Sequence, residues 1–248
     1  VDAIVVVSRA ERDTVLTRLG GDPAITHIVP PGVDADLFFP SWDARAEPAA
    51  REARPRRALS AGRLHPLKGF DLALDAIAEI DDDVRPDYVL VGAAPPDEDG
   101  RAYEAKLHEA VEQHGLADHV HYIGSLSRHA LAAQLRLVDI VLIPSHSETY
   151  GLVALEAAAS GVPVVASAAG GLREAVVDGV TGTLLESREP ADWAATIAGI
   201  LRDPVLAERM SVAAREHALA HSWDLSAEGL LAVFRELVAK AEPGSAHA

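Results

Sequence analysis

Two carboxylates, Glu148 and Glu156, are separated by seven residues in the segment 145–161, which reads SHSETYGLVALEAAASG. The preceding run DIVLIP at 139–144 is apolar and partly β-branched, which predicts a strand buried on both faces. The following residues are helix formers up to Gly161, where the helix should end. The polar loop between them therefore lies at the carboxyl end of a parallel strand, where open α/β sheets bind ligands.

The two acids suit different parts of one ligand. Gly151 stands near the helix start, where free backbone N–H groups and the positive end of the helix dipole favour an anion. Glu156 falls about a turn and a half further along, so its carboxylate is better placed to accept hydrogen bonds from a neighbouring diol. Its neighbours are small or apolar, and an isolated buried carboxylate is costly, so Glu156 needs polar partners.

A second loop carries two cations. The sequence AGRLHPLKGFD places Arg63 and Lys68 after the predicted strand 58–62, at the same sheet edge as the loop before Gly151. A cation about 4 Å from a phosphate contributes on the order of 4 kcal/mol at an effective dielectric constant of about 20. Two such cations would offset much of the charge on a departing nucleoside diphosphate. The loop lacks the Gly-Lys-Ser/Thr end of a P-loop, and no Gly-x-Gly-x-x-Gly follows a strand, so kinase-like and NAD-binding functions lose their main support.

Strands and helices alternate along the chain, which predicts an α/β protein with a Rossmann-like, doubly wound parallel sheet of about six strands and right-handed crossovers. The expected strands lie at residues 58–62, 87–92, 119–124, 139–144, 162–167 and 182–186. Besides the helix at 151–161, helices are expected at about 70–80, 101–114, 127–137, 172–178 and 225–241. Ahead of the sheet come a buried strand at 3–7, a helix opened by a capping box at 8–11, a strand at 25–29 and a linker at 42–57.

Composition limits the class of protein. The 248 residues are 49% hydrophobic, and no apolar run approaches the roughly 18 residues that a membrane span requires, so we expect a soluble, cytoplasmic protein. The net charge of −16 argues against nucleic-acid binding, although local cations can still hold a small anionic ligand. The absence of cysteine excludes disulfides and thiolate chemistry. The chain opens on a strand without Met or a basic leader, which predicts a fragment without a signal peptide.

Several histidines and acids are predicted to have no metal-binding or catalytic role. His217 and His221 stand four apart on a predicted helix, but HALAH lacks the inner Glu of a zinc-protease motif. The same expectation applies to three further groups: His119 with His121 on one face of a strand, His65 and His146 as lining or solvated residues beside the cleft, and a solvated acidic tip at 97–99.

The segment 148–186 resembles the signature region of retaining nucleotide-sugar glycosyltransferases of family four, the group 1 glycosyltransferases, whose two-domain architecture is the GT-B fold. Two glutamates separated by seven residues are the hallmark of that family. PLKGFD and ETYGLVALEA are similar to the corresponding segments of its inositol-phosphate N-acetylglucosaminyltransferase and sucrose-phosphate synthase branches. The resemblance spans roughly residues 1–240 and implies three parts. These are the tail of an N-terminal acceptor domain with the interdomain connection (1–40), a C-terminal donor-binding domain (41–222), and a final helix and tail returning to the first domain (223–248).

The resemblance also implies roles for individual residues. Glu148, Arg63 and Lys68 match catalytic positions, with the two cations on the donor diphosphate and Glu148 at the donor sugar. Glu156 matches the acid that accepts from the ribose hydroxyls. The remaining donor-binding positions are Gly62, Leu126 near the base, and the backbone amides of Tyr150, Gly151, Leu152 and Val153. Tyr150 stands where the family often has Phe, which leaves the backbone role unaffected.

The implied reaction transfers a hexosyl or N-acetylhexosaminyl group from a UDP- or GDP-sugar to an acceptor hydroxyl with retention of configuration, and it implies no metal or cofactor. The acceptor is a small molecule, a glycan or a lipid-linked compound. Because the acceptor site belongs to the absent domain, the chain alone should bind UDP or GDP weakly and transfer little sugar. Two alternatives remain open: a UDP-sugar epimerase of GT-B fold, which an assay for epimerised donor would reveal, and a non-catalytic nucleotide-sugar-binding module.

Overall fold

The structure, a computed structural model, describes residues 1–40 and 54–241. Its main feature is a six-stranded, fully parallel sheet. The strands are β3 (Arg57–Ala61), β4 (Asp87–Val91), β5 (Val120–Gly124), β6 (Ile140–Ile143), β7 (Val164–Ser167) and β8 (Gly182–Leu185). Their spatial order is β5-β4-β3-β6-β7-β8. The predicted Rossmann-like, doubly wound α/β fold is therefore confirmed.

The winding direction of this sheet reverses between β3 and β6. These two strands are direct neighbours, with Ala58 opposite Ile140 and Leu59 opposite Val141. The next strands in the chain continue outward from β3 on one side and from β6 on the other. The loops that leave the carboxyl ends of β3 and β6 therefore face one crevice at the topological switch point. These are the two loops that the sequence analysis singled out.

Helices cover both faces of the sheet. They are α2 (Phe70–Glu79), α3 (Glu98–Gln113), α4 (Arg128–Leu135), α5 (Leu152–Ala159), α6 (Leu172–Ala175), α7 (Pro190–Arg202) and α8 (Pro204–Leu219), with a single 3-10 turn at Pro66–Lys68. One core contains α2, α3 and α7 and includes the fully buried Trp193 and Tyr88. The other contains α4, α5 and α8 and includes the fully buried Leu135 and Phe38. The result is a three-layer α/β/α arrangement.

Local sequence explains the elements nearest the crevice. All four residues of β6 are buried, as the IVLI run predicts. Helix α5 ends at Ala159, and Gly161 takes the left-handed conformation (φ +63°) that ends helices. Ser127 caps α4, since its Oγ accepts a hydrogen bond from the Ala130 amide at 3.3 Å.

The first 40 residues form a separate pair of parallel strands, β1 (Ile4–Val6) and β2 (Thr26–Ile28), joined by helix α1 (Arg9–Arg18). Ser8 caps α1 as predicted, but the Glu11 carboxylate accepts from the Val7 amide (2.7 Å) instead of from Ser8 itself. The expected burial of β1 is wrong, because Val5 is exposed and only Val6 of its three residues is buried.

The last helix, α9 (Trp223–Ala241), lies against this first segment. The Val33 amide donates to the His221 carbonyl (2.8 Å), and a Cβ on Gly229 would lie 3.4 Å from Val29. Large apolar side chains are exposed on both parts: Val5, Ile28, Leu230, Leu231, Phe234 and Val238. None of the helices in the described ranges is long and apolar enough to cross a membrane.

Arg215 of α8 joins the segment at residues 35–38 to the end of α5. Its guanidinium donates to the carbonyls of Ala35 (3.3 Å), Phe38 (2.8 Å) and Ala159 (2.7 Å). The last of these is at the carboxyl end of α5, where a cation also meets the negative end of the helix dipole. The position of Phe38 is therefore fixed relative to α5.

Several predicted boundaries differ from the structure. Helix α3 begins at Glu98 instead of residue 101, because the Asp97 carboxylate accepts from the Gly100 amide (2.7 Å) and caps the helix. The exposed residues 97–99 are thus a cap and first turn, not a loop tip. Helix α6 ends at Ala175, since Val176 is extended. Helix α8 ends at Leu219, so His221 lies beyond it, and His119 precedes β5. Most of the predicted linker (42–53) and the tail after residue 241 are outside the described residues.

Candidate functional site

A cavity of about 180 Å³ opens at the switch point, between the ends of β3 and β6. The 3-10 turn and α2 form one side of it, and the loop 144–151 with the start of α5 forms the other. The lining residues are Ala61, Lys68, Phe70, Leu142, Ile143, Ser145, Glu148, Thr149, Gly151, Leu152 and Val153. Of the predicted site residues, Lys68, Glu148, Gly151, Leu152 and Val153 therefore meet in one place.

The two loops are bonded directly to each other. The His146 amide donates to the Leu67 carbonyl at 2.8 Å, and Lys68 Nζ lies 2.7 Å from Glu148 Oε2. The two side chains are only 27% and 16% exposed, so this ion pair is partly shielded from water. The cation and the acid beside the cavity are therefore each other's partners.

Glycine is required where the loops approach most closely. Gly69 follows the 3-10 turn with φ +65°, and its amide donates to the Pro66 carbonyl at 3.0 Å. A Cβ on Gly69 would lie 2.1 Å from the Pro144 carbonyl oxygen. No real Cβ tolerates such a contact, so the residue after Lys68 must be glycine for the crevice to close.

The start of α5 presents a row of free donors to the cavity. Gly151 is the N-cap residue, in the left-handed region with φ +102°. The amides of residues 150–153 have no hydrogen-bond acceptor within the described ranges. Glu148 is held from a third loop, because the Gly171 amide donates to its carbonyl at 2.9 Å. A partly exposed anion at this point would meet several donors and the positive end of the helix dipole.

Glu156 lies on the next turn of α5 and is nearly buried, with 13% of its side chain exposed. Its carboxylate accepts no hydrogen bond in the described part of the chain, and its charged partner is Arg128, whose Nε lies 3.9 Å from Oε1. Burial raises the pKa of Glu156 to about 7, and the Arg128 charge opposes that rise. The structure thus holds an acceptor that has no donor, as a diol-binding acid requires.

Glu156→Gln is expected to stabilise the ligand-free protein above neutral pH. Folding raises the pKa of this acid from 4.5 to about 7, so the folded state holds the proton over that interval and the unfolded state does not. The stability that wild type gains from the protonated Glu156 is fully present below about pH 4.5 and is lost as the pH rises through about 7. The uncharged glutamine side chain of the variant does not titrate, so the variant avoids that loss. Urea unfolding should give a gain of about 2 kcal/mol at about pH 8 that shrinks strongly towards about pH 5.

Glu112→Gln, at an exposed position on α3, makes the same chemical change without burial and serves as the control. It should change the free energy of unfolding equally little at both pH values. A Glu156→Gln gain of equal size at both pH values would contradict the proposed desolvation of this carboxylate.

Five predicted site residues lie outside the cavity lining: Gly62, Arg63, Leu126, Tyr150 and Glu156. The Arg63 side chain is exposed and makes no ion pair or hydrogen bond within residues 1–40 and 54–241. The Gly62 amide donates to the Val91 carbonyl at 2.9 Å, which fixes the loop start at the end of β3. Leu126 follows β5 and packs, half-buried, against the core that contains α5. Tyr150, by contrast, is buried directly beside the cavity, and burial raises the pKa of its hydroxyl to about 12.

Arg188, which the sequence analysis did not single out, supports the loop 144–151. Its guanidinium donates to the Pro144 carbonyl (3.0 Å), to Ser167 Oγ (3.2 Å) and to His146 Nε2 (3.1 Å). Because Arg188 can only donate, His146 Nε2 accepts, and burial together with the Arg188 charge lowers the His146 pKa. His65 Nδ1 accepts from the Leu67 amide at 3.1 Å. Both histidines therefore shape the loops.

Three other histidines have hydrogen-bond, ring or charged neighbours in the structure. The rings of His217 and His221 lie 4.5 Å apart, but His221 Nδ1 is bonded to the His217 carbonyl at 2.8 Å. His119 lies 3.3 Å from the Asp87 carboxylate. In the described residues no three potential ligands (His, Asp or Glu) come together in a group that could hold a metal ion.

Comparison with known proteins places this geometry in a family. Residues 43–217 match the family described as Glycosyl transferases group 1. A D-inositol 3-phosphate glycosyltransferase of Mycobacterium marinum is 39% identical over 241 residues, which cover 96% of this chain and 50% of that protein. The chain spans about half the length of the curated relatives it matches.

Two solved structures resemble the whole fold. Sucrose-phosphate synthase from Thermosynechococcus elongatus superimposes with a TM-score of 0.85 at 30% identity, covering 96% of this chain and 59% of that one. Anabaena Alr3699/HepE, solved in complex with UDP and glucose, gives a TM-score of 0.82 at 25% identity, covering 96% and 63%. The sheet is thus that of the C-terminal half of a GT-B fold. On its sequence match and its structure, this chain belongs to the group 1 glycosyl transferases.

Proposed function

We propose that the chain supplies the donor-binding half of a retaining glycosyltransferase. The enzyme transfers a hexosyl or N-acetylhexosaminyl group from a UDP- or GDP-sugar to an acceptor hydroxyl. The relatives support this proposal, since one is named for glycosyl transfer to D-inositol 3-phosphate and another was solved with UDP and glucose. The acceptor is a small molecule, a glycan or a lipid-linked compound.

One observation carries the proposal. The cavity combines a cation on one loop, Lys68, with the free amides of residues 150–153 on the other. A pyrophosphate needs this combination, because it carries charge on several oxygens that a single cation cannot reach. Arg63, exposed five residues before Lys68 and without a partner in the described ranges, is the second cation of the proposal.

Ligand binding would redistribute the existing ion pair. A diphosphate oxygen that takes Lys68 Nζ releases the Glu148 carboxylate, which now lies 2.7 Å from it. Glu148 then accepts from hydroxyls of the donor sugar. Glu156, one turn along α5 from its start, then accepts from the ribose hydroxyls. The backbone near Leu126, after the end of β5, contacts the base.

The chemical step then depends on the leaving group. Breaking the anomeric C–O bond produces an oxocarbenium-like sugar and a nucleoside diphosphate that carries the bonding electrons away. Lys68, Arg63 and the helix amides stabilise that developing charge. The acceptor hydroxyl attacks from the same face and passes its proton to a donor phosphate oxygen, which retains the anomeric configuration. The proposal assigns no metal or cofactor to these steps.

The proposed domain organisation follows from the same family. Residues 1–40 close an N-terminal acceptor domain, 41–222 form the donor domain, and 223–248 return towards the acceptor domain. Exposed apolar side chains on β1, β2 and α9 support this assignment, because a packing partner would cover them. Without that partner, we expect the chain to bind nucleotide weakly and to transfer little sugar.

Calorimetry on the 248-residue chain tests donor binding, using UDP, GDP, uridine and guanosine. A nucleoside diphosphate should bind with a dissociation constant in the micromolar to millimolar range, and its nucleoside more weakly. A folded sample with no diphosphate affinity at millimolar ligand would overturn the proposal. For the full-length protein, a thermal-shift panel of nucleotide sugars should identify base and sugar together, and NMR of the product should show the donor's anomeric configuration.

A further inference from the structure

The Arg128 side chain lies at the ribose end of the proposed site without donating a hydrogen bond there. Arg128 is the first residue of α4. Its Nε is 3.9 Å from the Glu156 carboxylate, beyond hydrogen-bond length, and its guanidinium carbon is 5.5 Å from the centre of the Phe38 ring. The pair is therefore electrostatic, and both oxygens of Glu156 keep their lone pairs open.

Phe38 is a fixed support for this guanidinium. The ring is fully buried, and the Phe38 carbonyl accepts from Arg215 at 2.8 Å. A cation over an aromatic face gains about 0.5–1 kcal/mol at an exposed site. Arg128 is 53% exposed, so this contact, rather than burial, holds it beside Glu156.

Arg128 differs from the other charged groups near α5 because its charge acts on Glu156. Among the described residues, its charge is the one that acts on Glu156. Arg215 of α8 contacts the far end of α5 at the Ala159 carbonyl, His217 of α8 is bonded to Ala175, and Glu174 of α6 bears on Tyr150. The charge state of Glu156 near neutral pH therefore depends on a single neighbour.

We propose that Arg128, supported by Phe38, is a positioning residue for nucleotide binding, because it keeps the Glu156 carboxylate charged and open to accept from both ribose hydroxyls. This inference rests on the proposed function of the site. It gives the interdomain connection a direct link to the nucleotide, through Phe38, Arg128 and Glu156. The chemical class recognised at this end is a ribonucleotide with a free 2′,3′-diol.

Arg128→Gln tests the inference through its pH dependence. Without the cation, the Glu156 pKa rises further, so the amount of charged acceptor near neutral pH falls. UDP affinity should drop about tenfold at about pH 7.5. The loss should shrink at about pH 9, where Glu156 is charged in both proteins, and should persist at about pH 5.5, where the charged fraction is smaller in the variant by the full change in pKa. Calorimetry across this range measures the profile, with Arg128→Ala as a second removal variant and Arg128→Lys expected to bind within about threefold of wild type.

The diol provides a second readout. The analogue 2′,3′-dideoxy-UDP lacks the two hydroxyl groups that would donate to Glu156, so wild type and Arg128→Gln should bind it with equal affinity. In a Glu156→Gln background, Arg128→Gln should likewise cause no further loss of UDP affinity. If Arg128 had only a structural role, Arg128→Gln would lose affinity for UDP and for its dideoxy analogue to the same extent.

Arg136→Gln is the matched control. Arg136 is the C-cap residue of the same helix and lies over the neighbouring ring, with its guanidinium carbon 4.7 Å from the centre of Phe39, but no carboxylate pairs with it in the described residues. At every pH, Arg136→Gln should bind UDP with the affinity of wild type. If wild type binds no UDP, the proposed function fails. If wild type binds UDP and Arg128→Gln gives the wild-type profile, or weakens the dideoxy analogue equally, the role of Arg128 is overturned and the function stands.

Discussion

Lys68→Ala is expected to weaken UDP binding by about a hundredfold while uridine binding changes by less than about threefold. Lys68 Nζ lies in the crevice beside the free amides of α5, where a diphosphate would displace its present partner. A cation about 4 Å from a phosphate is worth on the order of 4 kcal/mol at an effective dielectric constant of about 20, and competition from water and Glu148 reduces that value. The nucleoside lacks the diphosphate that the proposed function assigns to Lys68.

Part of the loss should come from Glu148. Removing Lys68 leaves this carboxylate, which is 16% exposed, without its partner and facing the incoming diphosphate. Lys68→Ala with Glu148→Gln should therefore recover about tenfold of the lost UDP affinity, because the amide does not repel the ligand. Glycosyl transfer by the full-length double variant should stay low, since the contact of Lys68 with the leaving group and that of Glu148 with the sugar are both lost.

Lys106→Ala is the control for this series. Lys106 also pairs with a carboxylate at 2.7 Å, that of Asp71, but it is 61% exposed and is not among the residues that line the cavity. Its removal should leave UDP affinity within about twofold of wild type. Equal losses of UDP and uridine binding in Lys68→Ala would show that the lysine shapes the loop and does not bind the diphosphate.

Local sequence rules predicted much of the fold and the meeting point of the loops. The all-apolar run of β6 and the capped helix α5 follow from composition over a few residues. Because parallel strands present their carboxyl ends at one edge, Lys68 and Gly151 could be placed in one crevice without knowing the strand order. Gly161 ended the helix where its sequence indicated.

Contacts between distant side chains could not be predicted this way. The Lys68–Glu148 pair joins residues 80 positions apart, and Arg188 reaches Pro144 across 44. Such pairs depend on strand order and side-chain rotamers, which periodicity does not encode. The partner that Glu156 needs is Arg128, yet the sequence only showed that some polar partner must exist. Arg188 follows the end of β8 at the same sheet edge, which is the signal that would have identified it.

Gly69→Ala is expected to lower the free energy of unfolding by about 3–4 kcal/mol and to remove detectable UDP binding. A left-handed alanine costs about 1 kcal/mol by itself. The larger part comes from the contact between loops, because the new Cβ would lie 2.1 Å from the Pro144 carbonyl oxygen and 2.8 Å from an Arg188 nitrogen. The loops must separate to relieve it, and Lys68 then moves away from Glu148.

Gly115→Ala measures the cost of a left-handed alanine alone. The difference between Gly69→Ala and Gly115→Ala is therefore the cost of the contact between the loops. Gly115 has φ +66°, against +65° for Gly69, but a Cβ there would meet nothing within 4 Å. Urea unfolding should therefore show a loss of only about 1 kcal/mol for Gly115→Ala, with UDP binding unchanged. Equal destabilisation in the two variants would mean that backbone conformation alone makes glycine necessary. A clearly larger stability loss in Gly69→Ala than in Gly115→Ala, together with a loss of UDP binding in Gly69→Ala alone, would establish that closure of the two loops builds the diphosphate site.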